Sequence, residues 1–324
     1  MLFKIFKIDL VLLKKVPLKC AFCFIFQNLA ENNLQYSKIL ELNLAVLLIS
    51  TSAVLGRYIT LNPFVTIFYR TLLAAILFYV FCRFKKLDLR ISNKRDVLKI
   101  VLAGILMAGH WVAYFFALQY SNVAIGILSL FTYPVITVFL EPLLLKTKFS
   151  KMHLGLGVLV LFGIYFLVPE ISFQNKYTIA VLMGILSGLF YALRNLLMKR
   201  EIEKYNGSVL MMYQIVVVTI ILSPVLFYSN FNEVMLQWAP LLTLAIITTC
   251  IGHTLFLMSL RNFSTTAASI MSSAQPLYSI ILGILFLSEY PSLKTMIGGG
   301  LIISAVVVES IRSLRKNSAI EGID

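Results

Sequence analysis

Charged and aromatic side chains inside long apolar stretches are the residues of this sequence best suited to chemistry. Arg70 lies in the middle of VTIFYRTLL, and His110 and His253 lie in two apolar stretches, 143 residues apart. A charged side chain that faces lipid at membrane depth costs at least about 2.5 kcal/mol, so Arg70 is predicted to face the protein interior. There its guanidinium could hold a substrate carboxylate or phosphate; the alternative is a structural arginine bonded to backbone carbonyls.

The two histidines could bind a substrate or relay protons, because imidazole changes its charge near neutral pH. Trp111 adjoins His110 and Tyr114 lies one helical turn beyond it, so both add aromatic surface. Ordinary core packing is the alternative for all of these side chains. Two further arginines, 57 and 194, lie nearer to the ends of their apolar stretches, where they could reach an interface.

A polar stripe runs along one apolar stretch, because Ser129, Tyr133, Thr137 and Glu141 follow one another at steps of four residues. Such a face predicts the wall of a wet cavity. The hydroxyl groups could instead bond to their own helix. Glu141 could pair with Lys146 or carry protons.

A second group of small polar residues surrounds Pro276 and offers hydrogen-bond acceptors to a ligand. The group consists of Ser269, Ser272, Ser273, Gln275 and Ser279. Glycines at 184, 188 and 298–300 lack the Lys-Ser/Thr of a phosphate loop and are predicted to be helix contacts. The predicted substrate-binding residues are Arg70, His110, Trp111, Tyr114, Ser129, Tyr133, His253, Ser272 and Gln275, and the predicted proton-coupling candidates are His110, His253 and Glu141.

Composition places these residues in a membrane. Of the 324 residues 60% are hydrophobic and only 13% are charged, above the roughly half apolar usage of soluble domains. The net charge of +14 would suggest nucleic acid as a partner of a soluble chain, but the basic residues flank apolar stretches. Nucleic acid is therefore not an expected partner. Cys20 and Cys23 form one CxxC pair without a second pair or a nearby histidine, so no metal or other cofactor is predicted.

Apolar runs divide the chain into ten predicted spans, cut by turn pairs such as Asn62-Pro63 and Asn206-Gly207. The predicted spans are 39–60, 62–82, 98–118, 122–145, 153–169, 177–198, 208–228, 238–260, 265–288 and 294–311. In residues 1–38, four lysines between positions 4 and 15 fall on about one third of a helical circle, which predicts a basic amphipathic helix on the membrane surface. A secretory signal is the alternative.

Landmarks of the first half recur 142 or 143 residues later in the second half. Gly109-His110 returns as Gly252-His253, Pro134 as Pro276, Lys151 as Lys294, and Gly155 and Gly157 as Gly298 and Gly300. With five spans in each copy, the second copy must enter the membrane in the opposite sense to the first. The predicted fold is therefore an all-α integral membrane protein of ten transmembrane helices, arranged as two inverted five-helix repeats.

The distribution of lysines and arginines gives the orientation, because cytoplasmic loops carry an excess of both. With both termini inside, only Lys176 and Lys294 of the 28 basic residues fall in external loops. Arg57, Arg70 and Arg194 lie inside spans, and the rest flank spans on the cytoplasmic side. The predicted location is the cell inner membrane, multi-pass, with both termini cytoplasmic.

The segments YFFALQYSNVAIGILSLFTYPV and LFLMSLRNFSTTAASIMSSAQPL, with an FLSE end to span nine, resemble the EamA-domain branch of the drug/metabolite transporter superfamily. The resemblance covers residues 39–312. The chain departs from the family pattern by Lys146, where a glutamate is common, and by its longer N-terminal extension. The resemblance implies ten helices around a central cavity and movement of metabolites across the cytoplasmic membrane.

The predicted function is secondary transport, by alternating access, of a small amino acid-like or other anionic or zwitterionic solute, with export favoured over import. Proton coupling and facilitated exchange both stay open, as does the oligomeric state. An intramembrane lipid-modifying enzyme is one alternative. Such an enzyme would require paired carboxylates or a group of metal ligands, and the sequence shows neither pattern, so the chain is predicted not to be an enzyme. A non-transporting scaffold or a channel is the other. The predicted segments are an extension over 1–38, repeats over 39–169 and 177–312, and a cytoplasmic tail over 313–324.

Overall fold

The computed structural model describes residues 18–145, 152–167, 174–263, 265, 268 and 271–321, and all its regular elements are helices. The α-helices are α1 (Leu18–Tyr58), α2 (Pro63–Phe84), α3 (Lys94–Tyr120), α4 (Val123–Leu130), α5 (Tyr133–Leu145), α6 (Met152–Leu167), α7 (Lys176–Lys204), α8 (Gly207–Leu222), α9 (Phe231–Leu236), α10 (Trp238–Thr243), α11 (Thr254–Ser259), α12 (Ala274–Leu287) and α13 (Leu293–Glu321). A 3₁₀-helix covers Ser223–Phe227 and a π-helix covers Leu244–His253.

Seven helical segments of the described chain are long and apolar enough to cross a membrane. They are Ser37–Tyr58, Pro63–Phe84, Lys94–Tyr120, Val123–Leu144, Lys176–Lys204, Gly207–Phe227 and Trp238–Ser259. Three shorter apolar helices, Gly155–Leu167, Ala274–Leu287 and Leu293–Val308, overlap the remaining predicted spans. The all-helical, membrane-spanning character predicted from the sequence is therefore confirmed.

Asparagine side chains cap the starts of several helices. Asn62, Asn93, Asn122, Asn175 and Asn206 each accept a hydrogen bond from a backbone N–H in the first turn of the helix that follows. Such a cap satisfies one of the donors that a helix start leaves without an intrahelical partner. The turn pairs predicted from the sequence therefore mark real helix boundaries.

The predicted fourth span is not one helix. Helix α4 ends at Leu130 and α5 begins at Tyr133. Pro134 has no backbone N–H to bond with the carbonyl of Leu130, four residues earlier. At the break, the carbonyl of Ser129 accepts from the backbone N–H of Thr132 at 3.4 Å and from its hydroxyl at 2.9 Å. The proline thus breaks a span that looks continuous in hydropathy.

The predicted boundary at residue 38 does not coincide with a break in helix α1, which begins at Leu18 and runs unbroken to Tyr58. Residues 1–17, which carry the lysines of the predicted amphipathic helix, lie outside the described residues. The surface helix therefore stays a prediction.

Glycines bring the central helices into close contact. A Cβ atom at Gly109 of α3 would lie 2.7 Å from the Phe190 ring of α7, and one at Gly188 of α7 would lie 2.9 Å from the Leu130 carbonyl oxygen. A Cβ atom at Gly184 would collide with the side chain of Ser129. Small residues permit this approach of helices in a membrane. The prediction of helix contacts is confirmed for the two glycines of α7.

The same kind of contact joins α6 to α13. A Cβ atom at Gly298 would lie 2.6 Å from the carbonyl oxygen of Gly163, and one at Gly299 would lie 2.8 Å from the side chain of Leu128. Gly300 differs, since none of the described residues lies within 4 Å of a Cβ atom at that position. Of the predicted run of three contacts, the first two are therefore confirmed and the third is wrong, because Gly300 points away from the neighbouring helices.

Candidate functional site

A small buried cavity lies between α1, α3, α4, α7, the end of the π-helix and α12. Its lining consists of Ile49, Ser52, His110, Trp111, Tyr114, Leu130, Tyr191, His253 and Gln275. The cavity measures about 10 Å³, which is room for about one water molecule. It brings together five of the residues predicted from the sequence as substrate-binding, including both histidines.

One hydrogen bond determines the protonation of His253. The indole nitrogen of Trp111 can only donate, and it lies 3.3 Å from Nε2 of His253. Nε2 is therefore an acceptor, so the proton of the neutral ring sits on Nδ1. That Nδ1–H is buried and has no hydrogen-bond partner in the described part of the chain.

His110 is held in the same tautomer by Ser187 of α7. The Ser187 hydroxyl donates its one hydrogen to the carbonyl of His110, at 2.9 Å. It must then accept from Nδ1 of His110, which lies 2.8 Å away. Both histidines thus carry a proton on Nδ1, and Nε2 of His253, which accepts from Trp111, carries none.

Tyr191 of α7 links the two histidines and was not predicted from the sequence. Its ring stacks on His110 with centroids 4.5 Å apart, and its edge meets Tyr133 at 5.0 Å and His253 at 6.3 Å. Tyr133, which was predicted to bind substrate, packs behind Tyr191 and does not line the cavity. Tyr191 lies three residues after Gly188 and therefore on the same face of α7 as the glycines at 184 and 188. That spacing could have predicted it as a site residue.

Arg70 is completely buried, as predicted. Its Nε donates to the hydroxyl of Thr249 at 2.6 Å and its Nη2 to the hydroxyl of Thr248 at 2.7 Å, while the guanidinium lies 4.4 Å from the centroid of the Trp111 ring. No carboxylate lies within 4.0 Å of it among the described residues. The charge is therefore balanced only by hydroxyl dipoles and an aromatic face.

The π-helix supplies those hydroxyls. Thr248 and Thr249 both donate to the carbonyl of Leu244, at 2.6 and 3.0 Å, so their lone pairs remain for Arg70. Only a widened turn lets one carbonyl serve residues four and five positions later, and π-turns are frequent at functional sites. Thr248 and Thr249 were not predicted as site residues, although two adjacent threonines stand in an apolar stretch close to His253 in the sequence.

Several buried polar atoms around this cavity have no hydrogen-bond partner among the described residues. They include Nη1 of Arg70, the hydroxyl of Tyr114 and Nδ1 of His253. An unsatisfied buried polar group costs roughly 1–3 kcal/mol. All three of these groups can donate a hydrogen bond, so the site is matched to a ligand that carries acceptors.

The predicted polar wall on span four does not line the cavity. The hydroxyls of Ser129 and Thr137 bond to carbonyls of their own helices, at 2.8 Å each. Ser272 likewise bonds to the carbonyl of Ala268, at 2.7 Å. Glu141 is partly exposed on α5, and its predicted partner Lys146 lies outside the described residues.

The two flanking arginines differ in exposure, but both are hydrogen-bonded within the protein. Nε of Arg57 lies 2.7 Å from Oε1 of Glu289, whose other oxygen accepts from the backbone N–H of Val123 at 2.8 Å. Arg194 is completely buried and donates to Gln214 at 2.7 Å and to Asn195 at 3.0 Å. The predicted snorkelling is therefore wrong for Arg194, while Arg57, whose side chain is 35% exposed at the end of α1, stays open to that interpretation.

A four-residue ionic cluster lies at the opposite end of α3 from the Arg57–Glu289 pair. Lys99 meets Glu201 at 2.6 Å, and Lys204 meets Asp96 at 3.3 Å and Glu201 at 3.1 Å. The hydroxyl of Tyr205 donates to Asp96 at 3.0 Å, and burial together with this carboxylate raises the pKa of Tyr205. The cluster ties the start of α3 to the end of α7.

Comparison with known proteins identifies the family to which this chain belongs. Residues 37–168 and 178–311 each match the EamA-like transporter family. The chain is 23% identical over 246 residues to the "Pseudopaline exporter CntI" of Pseudomonas aeruginosa (strain UCBPP-PA14), which covers 75% of this chain and 84% of the relative. It is 25% identical over 227 residues to the "Uncharacterized transporter YwfM" of Bacillus subtilis (strain 168), covering 68% and 75%.

A solved crystal structure has the same fold. It superposes with a TM-score of 0.64 at 16% sequence identity, over 86% of this chain and 98% of the other. The family match itself occurs twice and takes in most of the chain, with one copy in each half. The chain is a multi-pass membrane protein and belongs to the EamA-like transporter family.

Proposed function

We propose that this transporter moves a small anionic or zwitterionic metabolite, such as an amino acid-like solute, which binds at the cavity between His110, Trp111 and His253. The observation that carries the proposal is that the fully buried Arg70 has no carboxylate within 4.0 Å in the described chain, while Tyr114 and His253 carry donors that no described residue accepts. A carboxylate or phosphate would supply the missing acceptors and the missing negative charge. Charge-assisted hydrogen bonds of this kind are about twice as strong as neutral ones.

The hydrogen bonds of the two histidines fit a role in substrate binding better than one in proton transport. Protonating His253 at Nε2 would break its bond from Trp111 and place a second positive charge near Arg70. Because Nδ1 of His110 is bonded to Ser187 and Nε2 of His253 is bonded to Trp111, His110 keeps Nε2 for a polar solute and His253 keeps its Nδ1–H donor. Glu141 then remains the candidate for proton coupling, and facilitated exchange is the mechanism that needs no titrating group.

A cavity of about 10 Å³ cannot hold a metabolite, so the site must enlarge during transport. Trp111 stands between the cavity and Arg70, and its displacement would bring the guanidinium into contact with a solute. Alternating access provides such a change: in the proposed topology, ten helices form two inverted repeats, over 39–169 and 177–312, with both termini in the cytoplasm. The Arg57–Glu289 pair then closes the outer end and the ionic cluster closes the inner end.

The proposed direction is export. The Pseudomonas relative is named as an exporter, and it aligns with three quarters of this chain. Nothing in the residue types of the site favours entry over exit. The direction is tested with right-side-out vesicles. Efflux of the solute is measured from loaded vesicles, and its uptake is measured with empty ones.

Binding of a solute is the first test of this function. Carboxylates, phosphates, zwitterionic amino acids and amines are screened for their effect on the unfolding temperature of the purified protein. We expect anionic or zwitterionic solutes to raise it and amines to leave it unchanged. A stabilising solute should then cross proteoliposomes chemically intact and with saturation; conversion into a product would indicate an enzyme instead.

The role of Arg70 is tested by Arg70→Lys, which keeps the charge but loses the planar fork. Loss of one charge-assisted hydrogen bond, about 1.5–3 kcal/mol, should weaken solute binding by roughly ten- to a hundredfold, with a smaller effect on unfolding. Arg200→Lys, at an exposed arginine, is the matched control. If Arg70→Gln lowers the unfolding temperature but leaves flux unchanged, Arg70 is structural and the proposal is wrong.

A further inference from the structure

A surface groove of about 660 Å³, unconnected with the transport site, lies where the connector after α2 crosses α3 and α8. Ile91, Val97, Val101 and Val217 form its apolar lining, and Arg90, Ser92 and Tyr213 contribute polar groups. This volume falls within the roughly 300–1,000 Å³ of pockets that bury an organic ligand. Size and lining together suit a ligand with an apolar chain and a polar head.

The apolar lining continues onto the outer face of α3. Val97, Leu98 and Leu102 are 43%, 69% and 42% exposed, respectively. Because α3 is long and apolar enough to cross the membrane, this exposed apolar face suits contact with lipid acyl chains. A lipid acyl chain can therefore enter the groove from the side without leaving the bilayer.

The polar end of the groove is strongly basic. The connector and the first turn of α3 carry Lys85, Lys86, Arg90, Lys94 and Arg95, all exposed, and in the described chain none of them has a carboxylate within 4.0 Å. The one acid of the connector, at position 88, accepts from a backbone N–H. Each basic residue near a membrane surface attracts anionic lipid by about 1 kcal/mol.

We propose that this groove binds one anionic phospholipid, with an acyl chain along Val97, Val101 and Val217 and the phosphate against Arg90. The Tyr213 hydroxyl donates to the carbonyl of Leu89 at 2.7 Å, which holds the connector over the groove. The basic N-terminal segment of this chain is excluded as the occupant by charge repulsion. A free phosphate ester would contact the basic end only and leave the apolar lining uncovered.

Native mass spectrometry and unfolding temperature, measured on the full-length protein in mild detergent, test this site. The probes are phosphatidylglycerol, phosphatidylcholine and glycerol 3-phosphate. We expect one retained phosphatidylglycerol, a higher unfolding temperature with that lipid, and binding at least fivefold weaker for phosphatidylcholine. Equal binding of the two lipids, or stabilisation by glycerol 3-phosphate alone, would overturn the proposal.

Two variants locate the site. Val101→Trp fills the groove and should abolish the retained lipid, while Arg90→Gln, at an exposed position that leaves folding intact, should weaken binding about fivefold. The matched controls are Leu161→Trp on α6, which is 66% exposed, and Arg200→Gln. If variants and controls retain lipid alike, the adduct is general annular lipid and the groove is not its site.

Discussion

At the scale of single residues, the hydrogen bonds of Trp111 and Ser187 determine how both histidines can act. Each bond places the ring proton on Nδ1, and His253 is left with a buried donor that no described residue accepts. The sequence predicted that the two histidines belong to one site, because they occupy equivalent repeat positions. Their protonation could not be predicted, because it depends on partners from other helices.

Trp111→Phe tests this control of the tautomer. Phenylalanine keeps an aromatic face for Arg70 but cannot donate to Nε2 of His253. In the parent protein labelled with ¹⁵N-histidine, NMR should show His253 protonated on Nδ1. In the variant the Nε2–H form should become populated, since the lost bond is worth about 0.5–1.5 kcal/mol.

The control for this experiment is Trp238→Phe, at the other tryptophan of the chain, which is 57% exposed. It should leave the spectrum of His253 unchanged. His253→Asn assigns the signal by removing it. An Nε2–H signal for His253 in the parent would contradict the hydrogen bond from Trp111. It would also contradict the proposal that this ring donates from Nδ1 to a solute.

At the scale of elements, two departures from regular α-helix build the site. The interruption after Leu130 brings that residue to the cavity wall, and the π-helix turns Thr248 and Thr249 toward Arg70. Hydropathy predicted the spans that contain both elements, since it reports only length and apolar character. It could not predict the irregular turns, because these depend on a proline in one case and on a buried guanidinium from another helix in the other.

Thr248→Val tests whether the π-helix exists to balance the charge of Arg70. Valine has nearly the same shape but no oxygen, so a buried guanidinium nitrogen loses its acceptor. We expect the free energy of unfolding to fall by about 1–3 kcal/mol, measured by denaturant or thermal unfolding in detergent. Thr219→Val is the control, because its hydroxyl makes the same bond four residues back, to Ile215, without serving an arginine. Equal effects of the two substitutions would mean that Thr248 does not stabilise Arg70.

At the scale of the whole molecule, duplication and charge distribution were the features most readable from sequence. The two family matches, over 37–168 and 178–311, fall close to the predicted repeats. The long-range contacts were not readable, since Arg57 and Glu289 lie 232 positions apart and each looks like an ordinary residue at the end of a span. Sequence reasoning thus predicted the apolar segments, seven of which are long enough to cross a membrane in the described chain, but not which side chains join them.

The inverted topology predicts which connectors face outward. A membrane-impermeant thiol reagent applied to whole cells should label Asn232→Cys, in the segment after α8, and spare Ser92→Cys, in the connector before α3. Both positions are exposed, so accessibility of the side chain does not limit the reaction. Both variants are made in a chain whose native cysteines are replaced. The reverse labelling pattern would rule out the proposed orientation.

Alternating access requires that the contacts closing each end can be broken separately. In the proposed topology the outer end depends on Glu289, which joins Arg57 of α1 to the first residue of α4. Because this pair is partly exposed, its contribution is modest, about 1 kcal/mol. Weakening it should nevertheless shift a population of transporters toward the outward-open state.

Glu289→Gln keeps the size of the side chain and removes the charge. Combined with Gln275→Cys as a reporter on the cavity wall, in a chain without native cysteines, it should make labelling of the cavity by an impermeant external thiol reagent about fivefold faster. Glu203→Gln is the control, because its pair with Lys199 is a surface contact within α7. Faster labelling with the control as well would point to general loosening. Unchanged labelling in Glu289→Gln would mean that helix packing closes the outer end, and that the ion pair does not stabilise the closed state.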